Sequence, residues 1–211
     1  MPPEPADRAL QSASGAANRP GAFLNIPYDR AFGDLYLAYI AGITAFSLVP
    51  KTTLEIPGGE RRLDRIFGLI RSCPYSFHDL SRVELDLRRP ATPRFNMPFE
   101  LGLAVAWAKL SPGRHTWFVF ESRPRRVEKS LSDLAGTDVY IHDGRPAGVF
   151  RELSNALIRV DRQPSFQQMQ AIYTGLKKDL PSVLADAGAD SAFGARVFTH
   201  LAFLARKLAG A

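Results

Sequence analysis

The residues best suited to chemistry gather in three short runs. The first is Arg94-Phe95-Asn96-Met97-Pro98-Phe99-Glu100-Leu101-Gly102-Leu103-Ala104, which carries one carboxylate between apolar neighbours. Asn96 has the side chain of an N-cap, whose oxygen accepts from orphan amides of the next turn. Pro98 falls in that first turn, where a missing N–H costs nothing. Leu101, Leu103, Ala104, Val105, Trp107 and Ala108 then continue a helix that reads as mostly buried. Glu100 thus stands where the helix dipole favours a negative charge. It is either a simple N-terminal charge or a catalytic carboxylate at the mouth of a pocket. The other runs are Asn25-Ile26-Pro27-Tyr28-Asp29-Arg30 and Asp79-Leu80-Ser81-Arg82, with Arg88 and Arg89 following.

Strands must deliver those runs. Residues 22–26 read as a short strand stopped by Pro27, and a helical spacing of Phe32, Leu35, Tyr36, Tyr39 and Ile40 covers 31–41. A second strand is expected over 45–49, closed by a proline, and an amphipathic helix over 61–71 with Leu63, Ile66, Phe67 and Ile70 inward. The third strand and its exit take 74–81, and a charged loop over 82–93 leads to the helix of Glu100. Further strands are expected over 116–121 and 137–142, with helices over 127–134 and 148–160. After Pro164 only helical patterns remain, over about 166–184 and 191–208.

Strands alternating with helices predict an α/β fold, a flavodoxin-like three-layer sandwich with a five-stranded parallel sheet, plus two C-terminal helices. Residues 1–20, rich in Ala, Pro, Ser and Gly, are expected to form a disordered tail. Residues 21–162 would be the α/β domain, and 163–211 a helical hairpin packed on the domain or on a partner. Phe166, Met169, Ile172, Tyr173, Leu176 and Leu180 mark one apolar face of that hairpin, and Phe193, Val197, Leu201, Leu204 and Leu208 another. These faces are the expected contact of a homo-oligomer, with completion of the core as the alternative. In such sheets the ligand lies beyond the carboxyl ends of the strands. That places Asn25, Tyr28, Asp29, Asp79, Ser81, Arg82, Arg88, Arg89, Arg94 and Glu100 at one edge.

Composition narrows the chemistry. The formal charge of +6 suits an anionic partner. The arginines are scattered, without the dense basic run and aromatic row of a nucleic-acid binder. Cys73 is the single cysteine, which excludes an internal disulfide and fits a reducing compartment. No apolar stretch nears the roughly 20 residues that cross a bilayer, and a cytoplasmic protein is expected. There is no glycine-rich dinucleotide fingerprint and no P-loop. His78, His115, His142 and His200 are isolated and lack metal-ligand spacing. His78 alternates with buried strand positions and reads as a satisfied core group; Ser81 lacks the elbow of a hydrolase serine.

The run from Phe23 to Asp29, the Asp79-Leu80-Ser81 strand exit and the segment from Asn96 to Ala104 together resemble the nucleoside 2-deoxyribosyltransferase-like and TIR-like nucleotide-binding proteins. The likeness covers about residues 22–145 and leaves out the terminal helices. It implies chemistry at an N-glycosidic bond, with Glu100 as the catalytic carboxylate and Asp79 orienting the leaving base or the ribose hydroxyls. It implies substrate contacts from Asn25, Pro27, Tyr28, Asp29, Ser81, Arg82, Arg94, Asn96 and Met97. Departure of a base leaves an oxocarbenium-like sugar that a carboxylate stabilises or traps. The arginines point to a phosphorylated substrate, with fork-shaped donors for its phosphates. NAD, as substrate rather than cofactor and with no metal, is the expected case, cleaved to nicotinamide and ADP-ribose in a bacterial defence context. The alternatives are a non-catalytic nucleotide-sensing or assembly module, and a nucleoside 2-deoxyribosyltransferase.

Overall fold

Gly21–Asn25 forms β1, and every residue after Gly21 in it is buried. A computed structural model of the chain describes residues 19–55, 61–83, 85–86, 89, 92–158 and 163–210. Residues 1–18 of the tail expected over 1–20, and the boundary at 162, therefore lie outside the described residues. Val49–Lys51 is β2, Tyr75–Asp79 β3, Thr116–Glu121 β4 and Val139–Ile141 β5. They make one sheet in the order β2-β1-β3-β4-β5, parallel throughout. This is the flavodoxin-like order, whose direction of winding reverses between β1 and β3. Leu85–Asp86 and Thr92–Pro93 add a small antiparallel ribbon in the loop after β3.

Helices cover both faces. Arg62–Ser72 (α2) and Asn96–Leu110 (α3) take one, and Gly33–Ala45 (α1) with Pro146–Ala156 (α5) the other. A short helix, Arg126–Ser130 (α4), follows β4. Side chains alternate along each strand. Phe23 packs with Ile66, Ile70 and Ala104 on the α2–α3 side. Leu24, Phe77 and Phe120 join the core under α1.

The C-terminal pair, Phe166–Ala187 (α6) and Ala195–Leu208 (α7), lies over α1. Leu35 through Thr44 are consequently buried without a break. Met169, Ile172, Tyr173 and Leu176 of α6 and Val197, Phe198 and Leu201 of α7 all belong to the core of the domain. The faces put forward for an oligomer contact thus turn inward over most of their length. Each such large side chain stabilises the fold by about 1.5–3 kcal/mol over leaving it in water. Among the described residues, no helix is long and apolar enough to cross a membrane.

Two local expectations are corrected. The second strand is displaced from 45–49, because α1 runs on to Ala45 and Ser47 turns in the left-handed region at φ 59°. The strand that follows contains Pro50. It tolerates a residue without N–H because it is an edge, paired only with β1. Nor is Asn96 an N-cap. Phe95 holds that place, with no side-chain capping bond, and Asn96 is the exposed first residue of α3.

Candidate functional site

The strand register sets Asn25 beside His78, and His78 beside Val119. Asn25 Nδ2 lies 2.9 Å from His78 Nδ1 and donates to the Met97 carbonyl at 2.9 Å. His78 Nε2 is 2.8 Å from Ser76 Oγ, which is 2.8 Å from His115 Nε2. His115 Nδ1 reaches the Cys73 carbonyl at 2.7 Å. A carbonyl can only accept, so the proton on His115 sits on Nδ1. Ser76 must then donate to His115 and accept from His78 Nε2–H. That leaves His78 Nδ1 to accept from the Asn25 amide. One proton assignment satisfies all the bonds, and both rings are neutral. Burial, with the His115 ring as a second cause, pushes His78 down to about 3. Burial also lowers His115, against the pull of the Cys73 carbonyl. Asn25 therefore spends its N–H groups internally, and its Oδ1 meets no donor among the described residues.

Asp79 is as fully engaged. One of its oxygens accepts from the Ser81 N–H at 2.9 Å and from the Ser81 hydroxyl. The other accepts from Tyr39 Oη at 2.7 Å and lies 3.1 Å from His142 Nε2, off the line of a well-formed hydrogen bond. The residue has no exposed surface. Both oxygens of Asp79, expected to orient a leaving base or ribose, accept from inside the fold, one from Ser81 and the other from Tyr39. It braces the exit of β3 against α1 and β5. Ser81 is drawn inward by the same bonds. Beside it, Glu121 ends β4 and is gripped by Arg126 through two nitrogens, while Arg126 also donates to the Ser81 carbonyl at 2.6 Å.

Asp29 joins two loops. Its Oδ1 caps the turn Arg30–Phe32 by accepting from the Phe32 N–H at 3.2 Å. Its Oδ2 takes Arg94 Nη1 at 2.9 Å and Arg82 Nε at 3.3 Å. Arg89 is exposed, and Arg88 lies outside the described residues. Pro27 is buried, and so is the Met97 side chain, which packs with Leu80, Leu101, Val119 and Val127. The Met97 carbonyl accepts from Asn25 Nδ2.

Glu100 differs from the other acids. It is 4% exposed and has no hydrogen-bond donor among the described residues. Burial pushes its carboxyl up to about 7, with Arg62 pulling it back. Its charge is felt at Tyr28, whose phenol rises to about 12, chiefly through burial. Tyr28 Oη lies 3.5 Å from the Leu24 carbonyl and 3.5 Å from Thr53 Oγ1. The Tyr28 ring rests on Phe193, in the connection between α6 and α7. The connection between the two C-terminal helices thus reaches Tyr28. The open hollow expected in front of Glu100 is absent among the described residues: the carboxyl is nearly enclosed.

A cavity of about 210 Å³ does open at the same edge, between the start of α1 and the exits of β3, β4 and β5. Ser81, Arg82, Ser122, Arg123 and Gly144 line it, and Glu100 does not. Arg123 lies in the loop after β4, one of the strand exits at which this topology places ligands, whereas His142 carried no sequence signal because its neighbour Asp79 comes from a distant strand exit. Among the described residues there is no cluster of three or more His, Cys, Asp or Glu side chains able to hold a metal. Compared with protein-family models, curated proteins and solved structures, the chain matches none.

Proposed function

We propose that the protein is a nucleotide N-glycosidase, with NAD as the substrate that best fits its chemistry and nicotinamide and ADP-ribose as the products. One observation carries this reading: Glu100 is a buried carboxyl with no hydrogen-bond donor among the described residues. Burying an unpaired acid costs several kcal/mol when ionised, and such groups concentrate at functional sites. Held near pH 7, the carboxyl can still ionise to face the positive charge that grows on C1′ as the base departs. Weak screening around it strengthens that attraction.

Tyr28 feels the charge of Glu100, and its hydroxyl lies 3.5 Å from the Leu24 carbonyl and 3.5 Å from Thr53 Oγ1. Asn25 presents an acceptor oxygen whose direction is set by His78 and Met97.

The test is incubation of the protein with NAD, following free nicotinamide, beside Glu100→Gln. Gln keeps the size and loses the charge, so loss of release by about a hundredfold or more is expected. An unchanged rate removes Glu100 from the mechanism. A second reading, a nucleotide-sensing module without turnover, is favoured by the near enclosure of Glu100. NAD or ADP-ribose binding without release of nicotinamide would select it. Exchange of the base for a second base, in place of hydrolysis, would select a deoxyribosyltransferase.

A further inference from the structure

The cavity beside Arg82 and Arg123 has walls that cleavage of a glycosidic bond does not require. We propose that it binds the diphosphate of a nucleotide, gripped between these two guanidinium groups. The proposal rests on the nucleotide reading above for its ligand, and on the cavity itself for its chemistry.

Charge is the first argument. Asp29 Oδ2, beside the cavity, is taken up by Arg82 Nε at 3.3 Å and Arg94 Nη1 at 2.9 Å. Glu121 is held by Arg126, and Asp79 is sealed in by Tyr39 and Ser81. No acid among the described residues lining the cavity is left to repel an anion. Arg82 touches Asp29 through Nε alone, which leaves its terminal nitrogens to a ligand. The Arg123 guanidinium meets no acceptor among the described residues, although its backbone N–H is tied to Glu121.

Shape is the second argument. At about 210 Å³ the space takes a group of several heavy atoms, well beyond one or two waters. Gly144, at φ 67°, leaves the mouth without a side chain, and nothing stands within 4 Å of where a Cβ would be. Two arginines on separate loops can take a non-bridging oxygen pair each, the geometry in which a guanidinium outperforms a point charge. Loops at the carboxyl ends of parallel strands are also where this topology places ligands.

The experiment is calorimetric titration of the full chain with inorganic pyrophosphate, beside Arg123→Gln, Arg123→Lys and Arg196→Gln. Arg196 is exposed on α7, does not line the cavity, and controls for net charge. Expected is binding that Arg123→Gln weakens by about tenfold or more, Arg123→Lys by less, and Arg196→Gln not at all. No binding to the parent chain, or equal loss in Arg123→Gln and Arg196→Gln, overturns the proposal. With NAD, Arg123→Gln should raise KM and leave kcat unchanged. Pyrophosphate binding that depends on Arg123 without any cleavage of NAD retains the site and removes the glycosidase. Cleavage with a KM indifferent to Arg123 removes the site alone.

Discussion

Asn25 and His78 sit side by side in register on β1 and β3, with Asn25 Nδ2 2.9 Å from His78 Nδ1. Because every further bond in the series has a forced direction, the ring must carry its proton on Nε2. Imidazole nitrogen shifts of His78 are expected to report that neutral tautomer unchanged from pH 8 down to about pH 4.5, since the group titrates only near 3. A titration midpoint near 6 would break the assignment. His78→Ala should lower stability by about 1–3 kcal/mol, the cost of leaving Asn25 and Ser76 without partners.

Glu100 makes stability depend on pH. Its carboxyl is raised from 4.5 to about 7 on folding, so the folded chain holds a proton that the unfolded chain releases. Stability is then full below about pH 4.5 and falls as pH climbs through 7. At about 1.4 kcal/mol per pKa unit the loss is roughly 3 kcal/mol. Glu100→Gln should flatten that slope and be the more stable protein at pH 8. Denaturant melts at pH 5 and pH 8 check this; parallel slopes for the two proteins would contradict it.

Asp79 should behave as a brace. Asp79→Ala strands the Tyr39 hydroxyl and the Ser81 N–H inside the fold, at a cost of about 3 kcal/mol or more. Thermal melts should drop sharply while kcat, measured where the variant stays folded, changes little. An intact melting temperature with abolished turnover would instead return Asp79 to the reaction.

Two glycines separate packing from ligand contact. A Cβ at Gly148, in α5, would fall on the His142 carbonyl, whose position the backbone fixes. Gly148→Ala should therefore unfold or strongly destabilise the chain. At Gly102, two residues after Glu100, a Cβ meets nothing within 4 Å. Gly102→Ala should gain about 0.5–1 kcal/mol from helix propensity. If it also weakens NAD affinity, that glycine serves the ligand rather than the fold.

How much of this was legible in the chain depended on the range of the interaction. The strand at Thr116–Glu121 and the helices α2 and α6 follow from local apolar spacing and appear within a few residues of expectation. Five strand patterns separated by helical ones were enough for the sheet and its winding. Local spacing misled at 45–49, where Phe46 and Leu48 suit a strand yet close α1, since burial under α6 and α7 prolongs that helix. It misled again at Asn96, whose capping chemistry goes unused.

The amino-acid order by itself determined that Asn25, Asp79 and Glu100 would meet at one edge, because strand ends and a helix start carry them there. Only the tertiary structure decided what each can do. Asp79 is held by Tyr39 and Ser81, Asn25 is aimed by His78, and Glu100 is buried with no hydrogen-bond donor among the described residues. Ser81 apart, those partners are distant along the chain: Tyr39 is 40 residues from Asp79, and His78 is 53 from Asn25. Hydrogen bonding and desolvation are set by neighbours in space, and no spacing within a single run encodes them.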